Sequence, residues 1–298
     1  MLPFSAVDVI VARMVRALAV AWMLLGTAAG PVSAEPAPRV GKETRPRRAR
    51  AAWTDELRRL EQTYGLSVEY AAPAFPVATT HGQISGRAAT GRELDRYVPL
   101  FLEEFGLYPA DLVRRTGLRR IVLCKSLAFA GEPRASIPDY DHTVMYYDVA
   151  RAAYSEAYQR ATIHHEFFHM LDWKDDRQVY EDAAWSRINR DGFVYGPRHV
   201  RGVDPSLWGQ LDESLGGFLN RYSMTGVQED KAEIFCYLMT KPEMIQRRAR
   251  NDAVLGAKVE AMKRLTASFS ASADEAFWRS IAERRAAAGG ERTAASRD

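Results

Sequence analysis

Two histidines four positions apart flank a glutamate in His165-Glu166-Phe167-Phe168-His169, within the stretch HHEFFHMLDW at 164–173. Of the chain's 6 histidines, His164, His165 and His169 all fall here. At about 100° per residue a helix sets His165 and His169 about 40° apart on one face, with Glu166 beside them. Two neutral imidazoles so placed can reach one ion. Zinc held by two imidazoles and one further protein donor keeps a position for water, whose pKa falls to about 7. A glutamate beside that water can take its proton and later pass it to a leaving amine. The pattern is H-E-x-x-H. Burying two histidines and a carboxylate with no partner would be costly. Zn2+ is therefore the expected cofactor, with His165 and His169 as ligands and Glu166 as general base and acid.

The surrounding residues must supply the helix. No Gly or Pro interrupts 153–162, and Tyr154, Ala157, Tyr158, Ala161 and His165 recur at helical spacing, which predicts one helix from about Tyr154 to Trp173. Phe167, Phe168, Met170 and Leu171 are expected in the core. His164 lies about 100° round the helix from His165 and is expected as a packed or surface side chain. Asp172, one turn beyond His169, either orients a ligand histidine or pairs with a nearby arginine or the backbone.

A third ligand can come from two places. Asp175 follows His169 by the interval at which metzincins carry theirs, but those enzymes need Gly midway for a sharp turn, and Asp172 stands there. The later segment QEDKAEIFCYLM predicts a helix over Gln228–Thr240, with Ala232, Phe235, Cys236 and Met239 as an inward stripe. Glu229 and Glu233 share a face of it, with Asp230 beside them. A solvated acidic start favoured by the helix dipole would account for Glu229 and Asp230, and less well for Glu233.

HEFFHMLD and DKAEIF resemble the two zinc helices of gluzincin metallopeptidases, the group containing the lethal-factor-like catalytic domain, the Mlc titration factor peptidases and bacterial zinc-binding metallopeptidases. In these a glutamate preceded by Ala and followed by an apolar pair supplies the third ligand, which the resemblance carries onto Glu233. Glu229 is the competitor on the same helix, because a ligand followed four residues later by a second carboxylate is also a gluzincin arrangement. The lethal-factor-like domain carries a tyrosine before this helix, directed at the zinc-bound oxygen. LNRYSMTGVQEDKAEIF is similar, and Tyr222 is the match, although its interval to Glu233 is longer here. The likeness covers Ile163–Asp172 and Phe218–Met239, and it implies a zincin-like fold and a peptidase mechanism without a substrate.

The chain has 298 residues, 47% hydrophobic and 27% charged, enough for a full core. Arg13 and Arg16 precede the apolar run Ala17–Leu25, and Gly30-Pro31-Val32-Ser33-Ala34 ends in a small-x-small pattern, which predicts a signal peptide over 1–34. A secreted or periplasmic protein follows, with no stable membrane insertion after cleavage, because the run is short for a bilayer. Residues 35–52 are rich in Arg and Pro and are expected as a basic disordered linker. The net charge of +3 argues for no nucleic-acid partner. Cys124 and Cys236, the two cysteines, either pair or remain core thiols.

Other helices are expected over Trp53–Tyr64, Thr90–Phe105 with a Thr90/Glu93 capping box, Ala253–Ser268 and Ala273–Ala288. Strands are expected at Leu66–Tyr70, Leu118–Cys124 and His142–Val149, with a loop over Ala130–Asp141 and an irregular aromatic stretch from Asp175 to about Val227. His142 lines the cleft if its strand forms the sheet edge to which an extended peptide adds, and is otherwise exposed. The whole predicts an α+β, zincin-like metallopeptidase domain at 53–288, a small mixed sheet over the H-E-x-x-H helix followed by a helical half, with a flexible tail at 289–298. The expected activity is zinc-dependent hydrolysis of a peptide or protein. Its rivals are a metzincin-like enzyme using Asp175, a zinc amidase acting on a non-peptide or cell-wall substrate, and a non-catalytic binding protein of the same fold.

Overall fold

Alternation along two central strands divides the core. The computed structural model describes residues 45–150 and 155–295, so the expected signal peptide and the first part of the basic linker lie outside the described residues. Strands β1 (Ser67–Glu69), β2 (Val77–Thr79), β3 (Gly82–Ala88), β4 (Arg120–Phe129), β5 (Glu132–Pro133), β6 (Ser136–Asp139) and β7 (Val144–Asp148) form one mixed sheet in the order β2-β3-β4-β7-β6, with β1 and β5 also paired to β4. β4 and β7 run parallel, and β6 returns antiparallel to β7. Ile121, Leu123, Met145 and Tyr147 point into the main core, while Val122, Cys124, Val144 and Tyr146 join a smaller apolar cluster with Ile84 and Ile137. This is the two-residue period of a sheet covered on both faces.

Helices cover the main-core face. The helix α1 (Arg45–Tyr64) is followed by α2 (Gly91–Phe105) and α3 (Ala110–Thr116) before β4. Thr90 and Glu93 form the expected capping box. After β7 come α4 (Glu156–Asp176) and the short α5 (Ala183–Ser186), then α6 (Val227–Thr240), α7 (Pro242–Asn251), α8 (Ala253–Phe269) and α9 (Glu275–Ala295). The order, helices and strands first and then helices without strands, with a small mixed sheet, agrees with expectation. Among the described residues no helix is long and apolar enough to cross a membrane.

Several boundaries differ. α1 begins at Arg45, inside the stretch expected as a linker, because Arg and Ala are good helix formers and Pro46 sits in the first turn, where its missing N–H is no loss. Pro242 ends α6 as expected, and it also opens α7. α9 continues past Ala288 into the expected tail. The loop expected over 130–141 contains β6, which forms the sheet edge among the described residues, so the strand after His142 is internal. His142 is half-exposed and bonds Asp139 Oδ2 at 2.8 Å, at the turn between these strands. Cys124 and Cys236 are both free and buried.

Candidate metal centre

α4 is buried almost all round. Ser155 caps its N-terminus by accepting from the Tyr158 N–H, and from Thr162 to Asp172 every residue but Glu166 is buried. α6 lies against it, with Phe235 between Phe168 at 5.2 Å and Phe167 at 6.5 Å between ring centroids. Packing of two apolar helices thus brings their polar faces together.

His165 Nε2 and His169 Nε2 lie 3.1 Å apart. Glu229 Oε2, from the first turn of α6, lies 3.1 Å from the former and 3.7 Å from the latter. These buried donors stand within 4.8 Å of one another. A tetrahedral ion with bonds of about 2.0–2.2 Å needs donors about 3.3–3.6 Å apart, so the three separations fit zinc to within a few tenths of an ångström. Electrostatics agree with a cation at their centre. Burial alone would lower the His165 pKa, but Glu229 and Glu233 outweigh it and lift it to about 10. Burial alone would raise the Glu229 carboxyl, but His165 and His169 hold it well below the usual range.

Glu233, the carboxylate that the resemblance favoured, is turned elsewhere: its Oε1 lies 3.0 Å from His165 Nδ1, on the other edge of the ring. Glu229 and Glu233 share a face one turn apart, and the way α6 lies along α4 gives the earlier residue to Nε2 and the later to Nδ1. The acidic start of α6 is not solvated, since Glu229 is 8% exposed and Asp230 is fully buried.

Glu166 is half-buried beside the imidazoles, and its pKa is raised by burial against the opposing charge of His165 and His169. Tyr222 also reaches the centre. It opens the short turn Tyr222–Met224, its ring lies 6.0 Å from that of His165, and its hydroxyl hydrogen-bonds Glu229. Burial, then the charges of Glu229 and Glu166, push that hydroxyl's pKa well up.

The remaining expected residues go elsewhere. Asp175 is exposed near the end of α4, which runs on through Asp176 without the turn a nearby ligand would require. Asp172 pairs with Lys231, which also bonds Asp182 at 3.0 Å, and its unused Oδ2 makes no hydrogen bond, nor does His169 Nδ1. His164 faces away, with Nε2 2.7 Å from the fully buried Glu104, which Arg160 and Arg285 also hold.

Sequence reasoning missed three contributors. Asn220 donates from Nδ2 to Glu233 Oε2 at 2.5 Å. Asp230 Oδ2 receives Trp185 Nε1 at 2.9 Å, the Tyr195 hydroxyl at 2.6 Å and Lys258 Nζ at 2.7 Å, tying the irregular stretch and α8 to α6. Tyr140, stacked on Trp173 at 5.4 Å, feels the charges of Glu166 and Glu229. The only signal for Asp230 was the density of aromatic donors in the irregular stretch. For Asn220 it was its place two residues before Tyr222.

A family model described as "Putative zinc-binding metallo-peptidase" matches residues 108–272, more than half of the chain and all of this centre. Among solved structures the chain is similar to one described in the same words from Bacteroides caccae ATCC 43185, with 16% identity and a TM-score of 0.50 over 82% of this chain and 94% of that one. At that identity the likeness is one of fold. No curated protein matches the chain.

Proposed function

The chain belongs to the zinc-binding metallo-peptidase family, and we propose that His165, His169 and Glu229 hold its zinc in a peptidase centre with Glu166 as general base. The observation that carries this reading is the approach of Glu229 Oε2 to both imidazole Nε2 atoms, 3.1 Å and 3.7 Å. Zinc in such a set supplies a Lewis acid and lowers the pKa of water to about 7.

This chain's residues do the rest. Glu166 accepts a proton from the attacking water and carries it to the leaving nitrogen. Tyr222 gives its hydroxyl to the oxyanion that develops on the attacked carbonyl. Glu233 accepts from His165 Nδ1–H and so leaves the Nε2 lone pair for the ion.

Two histidines on one helix, a glutamate on a later one and a second carboxylate one turn beyond support a gluzincin centre in a zincin-like fold, related to the lethal-factor-like and Mlc peptidases. The continuation of α4 through Asp176 weighs against a metzincin centre at Asp175. The pattern of residues 1–34 supports export, which places the substrate, a peptide or protein, outside the cytoplasm.

Metal analysis of the purified chain should find one zinc per molecule. Cleavage of an unbiased peptide library should stop with a chelator and return with zinc. Zinc without cleavage of any peptide or cell-wall amide would leave a binding protein on this fold, and absence of zinc binding would remove the centre.

A further inference from the structure

An imidazole offers its Nε2 lone pair to a cation only while its proton sits on Nδ1. In His165 the neighbour of Nδ1 is Glu233 Oε1 at 3.0 Å. The second oxygen of that carboxylate accepts from Asn220 Nδ2 at 2.5 Å, and Asn220 Oδ1 accepts from the Ser223 backbone N–H at 2.9 Å. All four residues are buried, Asn220 and Ser223 completely.

The direction of this chain is set at one end. A backbone N–H can only donate, so the Asn220 amide must turn its oxygen to Ser223 and its NH2 to Glu233. A flipped amide would face donor with donor at Ser223 and acceptor with acceptor at Glu233. Its second amide proton has the Gly209 carbonyl at 3.4 Å. Glu233 thereby receives a donor on Oε2 and keeps Oε1 to accept Nδ1–H.

The same residue holds the turn that carries Tyr222. Ser223 Oγ donates to the Asn220 carbonyl at 2.7 Å, and Tyr222 N–H donates to the Trp208 carbonyl at 2.9 Å. We infer that Asn220 is a positioning residue that passes the donor polarity of the Ser223 backbone through Glu233 to His165, fixing the ligand tautomer and the Tyr222 turn together. This rests on the reading of His165 as a zinc ligand.

The polarity can be reversed by mutation. Asn220→Asp sets two carboxylates against each other, and Glu233→Gln leaves a single accepting oxygen for two donors, Asn220 Nδ2 and His165 Nδ1–H, so that its own NH2 must face one of them. In the double variant N220D/E233Q the new amide at position 233 donates from its NH2 to the new carboxylate at position 220. Its oxygen still accepts from His165 Nδ1–H, and the carboxylate at position 220 still accepts from the Ser223 N–H. Each single change should weaken zinc binding by about 10–100-fold and shift the visible bands of the Co2+-substituted protein. The double variant should return to within about fivefold of the wild type with its bands restored, a rescue that a merely structural role would not produce. Should N220D fail to fold, Asn220→Ser, which loses the donor to Glu233, carries the same expected loss. A double variant as weak as the two single losses combined, or single variants that bind zinc and Co2+ as the wild type does, would overturn the inference while leaving the centre intact. A wild-type chain that holds no zinc would overturn the centre, and this inference with it.

Discussion

Glu233 Oε1 lies 3.0 Å from His165 Nδ1, on the edge of the imidazole opposite to the one that faces His169 and Glu229. One ring is therefore held at both nitrogens, with Glu229 and Glu233 of α6 meeting it on opposite edges.

Glu166→Gln keeps the shape of the side chain but cannot accept a proton. Zinc content should stay at one per chain, and kcat should fall by about 10²–10⁴-fold. Unchanged turnover of a cleavable library peptide would take Glu166 out of the mechanism.

Tyr222→Phe removes one hydroxyl from beside Glu229. The expected result is a loss of about 10²-fold in kcat with KM and zinc content little changed. A change confined to KM would assign Tyr222 to substrate binding instead.

In the metal-free protein His165 has its pKa raised to about 10 by Glu229 and Glu233 against the effect of burial. Stability from that imidazolium is fully present below its ordinary value of 6.5 and is lost as pH rises through about 10. Zinc must displace the proton, so its affinity should rise about tenfold per pH unit up to that range. Calorimetry in buffers of different ionisation enthalpy should show about one proton released per zinc at neutral pH, and the Tm of chelated protein should fall from pH 7 to 10. Binding without proton release would contradict the charge state of the site.

Lys258 and Asp230 form a fully buried pair at 2.7 Å. Burial dominates both, lowering the Lys258 pKa and raising that of Asp230, so the intact pair adds little net stability. Lys258→Met leaves Asp230 uncompensated and should cost about 3–5 kcal/mol, read from urea denaturation. A loss under about 1 kcal/mol would mean that the Trp185 and Tyr195 bonds hold Asp230 unaided.

That His165, Glu166 and His169 sit together on one helix could be read from sequence because the pattern is local: a helical period with two histidines four positions apart around a glutamate. The choice between Glu229 and Glu233 could not, since both share a face and only the placement of α6 against α4 assigns them to different ring nitrogens. β6 escaped notice because Pro138 lies within it. Proline has no N–H to give, which suits an edge strand and disguises it as a loop. The burial of Asp230 depends on Trp185, Tyr195 and Lys258, partners 45, 35 and 28 positions away, which helical periodicity cannot anticipate. Export, read from residues 1–34, rests on sequence alone.

The assignment of Glu229 as ligand and Glu233 as orienting carboxylate is tested most directly by the zinc affinities of Glu229→Ala and Glu233→Ala, measured by competition with a chromophoric chelator. The geometry predicts that Glu229→Ala loses the most, because a donor 3.1 Å and 3.7 Å from the imidazole nitrogens is removed. Glu233→Ala should lose about 10–100-fold and retain a bound ion. The opposite order, with Glu233→Ala stripped of zinc and Glu229→Ala still loaded, would contradict the account.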